Sequence, residues 1–336
     1  MVFAAVLTAL VSAALAGVLS VCGPVDAPRA RGLHLHPTPT SGGLAVMTAT
    51  AIGLLTFGLT EPWAPGWHQA ALLLACAGAL GVYGALDDVI DLGFAAKLGV
   101  QLLIAVLFVI FVGRVEALPI LPGVELQLGP WIGGAGTVLW LVTIVNVYNF
   151  MDGSDGLAPG AQAIALFILA LAGAPWPLIA FLLLAGFVAN LAFLPLNHPG
   201  RRLFQGDAGA LFSAFLIGGG AVLITGSPVA VASPYLAVFA AAPLLTDVLL
   251  TLLARAKARA NLAQAHREHL YQLWLTNTGR SAGALAWRVW GLCGISGLLG
   301  YAVDRFAPGW SLLALIVVVA ALSAGWFAAR RRLAPA

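Results

Sequence analysis

Charge is what this chain has least of. Acidic and basic residues together make up 9% of its 336 residues, whereas apolar ones make up 61%. Length alone would predict a soluble protein of two or three domains. Apolar stretches of about 20 residues, recurring along the whole chain, exclude that reading and point to membrane-spanning helices. Cysteine is scarce as well: Cys22, Cys76 and Cys293 lie in or beside apolar segments without metal-ligand spacing. They read as buried spectator thiols and leave the redox compartment unspecified. The first 21 residues lack the basic start of a signal peptide, and many more spans follow, so they read as a first membrane helix.

What is present is an all-α, polytopic integral membrane protein forming one domain over residues 1–336. Eleven spans are expected, at 2–21, 43–60, 68–86, 95–113, 131–148, 157–173, 177–194, 208–225, 235–254, 284–303 and 310–329. The connecting segments alternate between two sides. One side holds residues 22–42, 87–94, 149–156, 195–207, 255–283 and the tail from Arg330, and the other holds 61–67, 114–130, 174–176, 226–234 and 304–309. Of the sixteen Lys and Arg, only Arg114 and Arg305 fall on the second side. By the positive-inside rule the first side is cytoplasmic, with the N-terminus outside (periplasmic) and the C-terminus inside. Eleven spans require the same arrangement. In the outer loop 114–130, alternating polarity around Pro-Gly predicts a small hairpin.

The few acids are concentrated. Asp87, Asp88 and Asp91 in "LDDVID", Asp152 and Asp155 in "MDGSD", and Asp207 in "QGDAG" all fall where an apolar helix meets the cytoplasmic side. Taken singly, each is a helix cap or interface residue. Like charges gathered at low dielectric repel one another, so six together call for cations. Hard carboxylate oxygens favour Mg²⁺, with Mn²⁺ as the alternative, and Mg²⁺ takes few carboxylates together with water and substrate phosphates. Gly153, Gly156, Gly206 and Gly209 flank these acids and allow backbone N–H groups close to a ligand. The span that follows "GDAG" would present its N-terminus to an anion.

The largest inner loop carries "AHREHLYQ", which places His266 and His269 at i and i+3 on one helical face beside Arg267 and Glu268. Zinc would need a third ligand, and the pattern is not H-E-x-x-H. A cationic or hydrogen-bonding pair engaging phosphate suits an aspartate site better, and incidental surface histidines are the plain alternative. The first inner loop ends in "PTPTSGG", which breaks helix before the second span.

In this order, "PTPTSGG", "LDDVID", "NVYNFMDGSDGLA", "FQGDAGALF" and "HREH" resemble the motifs of the polyprenyl-phosphate N-acetylhexosamine-1-phosphate transferase superfamily. That superfamily includes the O-antigen- and enterobacterial-common-antigen-initiating enzymes and the muramoyl-pentapeptide translocases. The resemblance spans residues 37–269. Ala210 stands where the family often has Ser, and the histidine motif lacks the His-His-His run of the translocases. The eleventh span with its basic tail also looks more like the O-antigen-initiating branch.

The resemblance implies transfer of N-acetylhexosamine-1-phosphate from a UDP-sugar to undecaprenyl phosphate, with release of UMP, at the inner membrane of a bacterium. It places Asp207 as principal Mg²⁺ ligand, with Asp152 and Asp155 on the metal or nucleotide. Asp87 and Asp88 would stand by the lipid phosphate, where direct attack is preferred over a phospho-aspartate. Asn149 would hold nucleotide, Asn146 would fix the loop, and His266, Arg267 and His269 would bind the diphosphate or sugar. Lys97 pairs with a phosphate or an aspartate, or snorkels. No nucleic-acid partner is expected, and homodimer formation is left open. The rival reading is a transporter or lipid flippase that uses the acidic cluster for ion coupling, although transporters place such acids near the bilayer midplane. Asp247, inside a span in "LLTDVLL", belongs to no step of the transfer and reads as a buried partner for a basic side chain or as a residue nearer the interface.

Overall fold

The computed structural model describes residues 1–26, 37–90, 92–198, 202–227, 232–261, 264 and 266–333. Asp91, named above, lies outside the described residues. Ten helices among the described residues are long and apolar enough to cross a membrane. They are α1 (Val2–Cys22), α2 (Gly42–Thr60), α3 (Trp67–Ile90), α4 (Phe94–Phe111), α5 (Gly129–Met151), α7 (Pro177–Asn197), α8 (Gly206–Thr225), α9 (Leu236–Lys257), α11 (Ala282–Phe306) and α12 (Ser311–Leu333). The expected sixth span is α6 (Leu157–Ala172), a 16-residue helix. At 1.5 Å per residue it is about 24 Å long, short of a hydrocarbon core of about 30 Å. Most of its length is buried against α7, α8 and α11, so its ends need not reach the lipid headgroups.

Helix α8 is the axis of the bundle. Ala208 through Ile224 are buried without interruption, and α8 touches α2, α3, α5, α6, α7 and α9. Lipid gives helices no hydrophobic reason to associate, so close approach relies on small residues and interhelical hydrogen bonds. Both occur here. A Cβ on Gly43 of α2 would lie 2.0 Å from the Gly209 backbone nitrogen, so these two backbones meet only as glycines. A buried amide network joins α6, α7 and α8: Gln205 donates to Gln162 (2.7 Å) and to Asn190 (3.3 Å), and Asn190 donates to Ser213 (3.2 Å).

The hairpin expected in the outer loop is present as β3 (Ala117–Leu121) paired antiparallel with β4 (Val124–Gln127). A two-residue pair, β1 (Val25–Asp26) with β2 (Thr38–Pro39), precedes α2. The helices run further than the loops drawn from sequence. Asp87 and Asp88 belong to the last turn of α3 rather than to a loop at 87–94. Asn149 lies on α5, and Asp207 is in the first turn of α8. Inside the loop 255–283 a further helix forms, α10 (Leu270–Thr278). The histidines are not on a helical face: His266 precedes α10 without helical structure and His269 is its N-cap. Tertiary anchors, described below, start the helix later than the local pattern predicts.

Candidate active site at one end of the bundle

The acids at the ends of α3 and α8 meet around one amine. Lys97, on the first turn of α4, reaches Asp207 Oδ2 at 2.6 Å and Asp87 Oδ2 at 2.7 Å. Asn149 donates through Nδ2 to the other Asp207 oxygen at 2.7 Å, so α5 also closes on this carboxylate. Asp87 Oδ1 accepts from the Leu92 N–H at 3.0 Å. Of the three readings open for Lys97, pairing with aspartate is what is observed.

Asp88 turns to α8. Its carboxylate accepts from the backbone N–H of Asp207 at 3.1 Å and, weakly, of Ala208 at 3.5 Å. The N-terminus of α8, expected to face a phosphate, is therefore capped by a protein carboxylate, which complements the helix dipole. Gly206 makes this possible. Its φ is +69°, and a Cβ there would lie 2.4 Å from Asp88 Oδ2 and 2.5 Å from the Thr40 carbonyl. The "PTPTSGG" segment packs on the same corner: Gly42 and Gly43 donate to the carbonyls of Phe204 (2.9 Å) and Gln205 (2.8 Å).

The turn after α5 brings in Asp152 and Asp155. Burial, followed by the charges of Asp207, Asp88 and Asp155, pushes the Asp152 carboxyl well above the usual carboxylate range. Asp87 and Asp207 share the single amine of Lys97, so this end of the bundle gathers more carboxyl groups than that amine pairs. Among the described residues, no three His, Cys, Asp or Glu side chains converge as a ready-made metal cage. The carboxyl oxygens gathered here nevertheless suit a hard divalent cation, which draws much of its shell from water and phosphate. Asn146 stands apart, donating to Gln101 on α4 (2.5 Å) and to the Val142 carbonyl (2.8 Å). It ties two helices together and does not fix the loop.

His266 and His269 face one another with ring centroids 4.8 Å apart, and His269 lies 5.9 Å from the Phe150 ring at the end of α5. Burial is the main reason the His269 imidazole is held down to about 3, with His266, Arg330 and Arg255 adding to it. His266 is lowered for the same reason, then by Arg255. Near neutral pH His269 is therefore an uncharged hydrogen-bonding group. Arg267 is exposed beside them.

Residues 70–225, from α3 to the end of α8, match glycosyl transferase family 4. The match includes Asp87, Asp88, Asn149, Asp152, Asp155 and Asp207, together with Lys97. A Bacillus subtilis protein named as a probable undecaprenyl-phosphate N-acetylglucosaminyl 1-phosphate transferase is 34% identical over 201 residues, covering 58% of this chain and 54% of that one. The chain thus spans about half the length of that relative. It is 28% identical to the Escherichia coli undecaprenyl-phosphate alpha-N-acetylglucosaminyl 1-phosphate transferase over 309 residues, covering 88% of this chain and 81% of that one. A Mycobacterium tuberculosis decaprenyl-phosphate N-acetylglucosaminephosphotransferase is 28% identical over 309 residues, covering 80% and 73%.

Several further residues act on the site without standing out in sequence. Asn197 accepts the Gly156 N–H at 2.6 Å, and Trp290 Nε1 donates to the Gly156 carbonyl at 3.1 Å. Together they pin the turn that carries Asp155. Beside Asp155 a cavity of about 640 Å³ opens between α7 and α11, with His198, Trp287 and Trp290 in its wall. Single Asn, His and Trp residues in apolar helices carry no spacing signal, so only the fold shows what they hold.

Proposed function

We propose that this protein transfers N-acetylhexosamine-1-phosphate from a UDP-sugar to undecaprenyl phosphate or a similar polyprenyl phosphate, releasing UMP. One observation carries the reading: Asp87, Lys97, Asn149 and Asp207, from four helices, join into one bonded cluster where apolar helices end. A soluble, doubly charged donor and a membrane-bound phosphate can meet only at such an interface. The names of the relatives support the acceptor and the transferred group.

In the proposed reaction an oxygen of the lipid phosphate attacks the β-phosphorus of the donor. A new P–O bond forms there, and the bond from that phosphorus to the bridging oxygen breaks, so that the bridging oxygen leaves with UMP. Such transfers depend on positioning and charge neutralisation more than on covalent chemistry. Lys97 holds Asp87 and Asp207 in place, and Asp88 fixes the first turn of α8, on which Asp207 rides. The Asp155 turn and the adjoining cavity supply a place for the nucleotide, and His266, Arg267 and His269 line the donor's diphosphate. Asp207, with Asp152 and Asp155, would hold Mg²⁺ (or Mn²⁺), which when bound neutralises the diphosphate. The site faces the cytoplasm of a bacterial inner membrane, and the product starts a cell-surface glycan such as O-antigen.

The test is UMP release from UDP-N-acetylhexosamines by the purified protein with undecaprenyl phosphate and Mg²⁺. Asp207→Asn lowers the rate by about 10²-fold or more, the scale for losing one charge-stabilising group. A rate near that of the unaltered protein removes Asp207 from its assigned role.

A further inference from the structure

Asp247 lies mid-way along α9, is nearly fully buried, and has no part in the phosphoryl transfer described above. A buried carboxylate in a membrane helix is costly and needs partners. Among the described residues, no basic side chain supplies them. Oδ1 accepts from the Leu270 N–H (2.7 Å), from Trp326 Nε1 (3.0 Å) and from Thr251 Oγ1 (3.3 Å), while Oδ2 accepts from the Tyr271 N–H (3.2 Å). Leu270 and Tyr271 are the first two residues of α10, so Asp247 caps that helix from 23 residues upstream. A carboxylate at this place satisfies amide groups that have no partner within the helix and complements its dipole.

What α10 carries gives the cap its consequence. His269 immediately precedes Leu270 and is buried, its ring 6.0 Å from Tyr271 and 4.8 Å from His266. Tyr271 reaches further and donates its hydroxyl to the Phe150 carbonyl at 3.1 Å, two residues before Asp152. One carboxylate thus fixes the residue that braces both the histidine segment and the start of the Asp152–Asp155 turn. The C-terminal helix takes part from the other side. Trp326 of α12 donates to Asp247, and Arg330, one turn on, donates to the Glu268 carbonyl at 2.9 Å. Glu268 also pairs with Arg255, at the end of α9.

We propose that Asp247 is a positioning residue: together with Trp326 and Arg330 it sets where His266 and His269 stand, making the eleventh span part of the donor site. The inference rests on the function proposed above only for what the histidines bind. A helix that merely stabilised the bundle would need neither the indole nor the guanidinium aimed at this segment.

The test uses full-length protein in lipid nanodiscs, with Asp247→Asn and the milder Trp326→Phe, which keeps a ring but loses the N–H. Asp247→Asn raises KM for the UDP-sugar about tenfold, the scale for losing a hydrogen bond to a charged group. KM for the polyprenyl phosphate and the melting temperature stay close to the unaltered values. Trp326→Phe shifts the same KM in the same direction by a smaller factor. Hydrogen exchange is read in parallel and does not depend on activity: both variants speed exchange at residues 270–271 and leave residues 206–210 unchanged. A donor KM within twofold in both variants overturns the proposal, as does an equal rise in both KM values with a lowered melting temperature. If the unaltered protein turns over no UDP-sugar, the functional reading fails, and the exchange data alone uphold or overturn the positioning role.

Discussion

At the scale of single residues, Lys97 is the most exposed to test. Its amine neutralises two carboxylates that stand within 2.7 Å of it, and removing one partner of a partly buried ion cluster leaves the others uncompensated. Lys97→Met therefore lowers kcat for UMP release by about 10²-fold or more, whereas Lys97→Arg keeps part of it. A rate for Lys97→Met within threefold of the unaltered enzyme would show that the amine is dispensable. His269 makes a prediction in pH. It is buried and held down to about 3, below the value of about 6.5 for a free histidine. Its neutral form is therefore the one the folded protein accommodates. The unfolded chain takes up the proton first as pH falls below about 6.5, so stability is lost progressively from there towards pH 3. Thermal melts from pH 7.5 to 4.5 check this: His269→Gln should fall less steeply than the unaltered protein, and parallel curves would contradict the assignment.

Much of this site was legible in the sequence because polar residues are conspicuous in an apolar chain. Asp87, Asp88, Asn149, Asp152, Asp155, Asp207, His266 and His269 all stand out against their neighbours, and the fold brings the acids and Asn149 to one end. The bonds were not legible. Lys97 meets Asp207 across 110 residues and Asp247 meets Leu270 across 23, and neither separation follows a local period. Asn146, expected to fix the loop after α5, instead joins α5 to α4.

At the scale of elements, the start of α8 is where local geometry matters most. Gly206 is left-handed, and its open side is filled by Asp88 and Thr40. An alanine there is strained in backbone and meets a carboxylate, so Gly206→Ala displaces the first turn of α8 and Asp207 with it. The expected outcome is a loss of activity of about tenfold or more together with about 1–3 kcal/mol of stability, read by UMP release and thermal unfolding. Full activity in Gly206→Ala would mean that the Asp88 cap is not needed. Helix α6 teaches the complementary lesson. Its composition reads as a span, but its 16 residues and its burial make it an internal element. Hydropathy reports apolar surroundings and does not distinguish lipid from protein. For α10 the cap is shared: Asp247 of α9 accepts its first N–H groups, while His269 and Gln272 close a local capping box.

At the scale of the whole molecule, the two ends of the bundle differ in character. The bonded acidic cluster and the His266–His269 segment sit where α3, α5 and α9 end and α4 and α8 begin, and the β3–β4 hairpin sits where α4 ends and α5 begins. By the positive-inside rule, the asymmetry of Lys and Arg predicts that the cluster end faces the cytoplasm. Single cysteines in a version lacking Cys22, Cys76 and Cys293 test this assignment. Glu125→Cys should react with an impermeant thiol reagent on intact spheroplasts, and Lys257→Cys only after permeabilisation. The reverse pattern would place the site on the wrong side for a nucleotide-sugar donor. Asp247, expected to pair with a basic side chain or to lie nearer the interface, is instead occupied by backbone and indole N–H groups.

The central claim is that these parts make one phosphosugar transferase, and product release tests it most directly. Purified protein, incubated with undecaprenyl phosphate, Mg²⁺ and a panel of UDP-N-acetylhexosamines, should release UMP with at least one donor and only when lipid and metal are both present. No UMP from any donor in the panel, with the protein folded and embedded in lipid, would contradict the account.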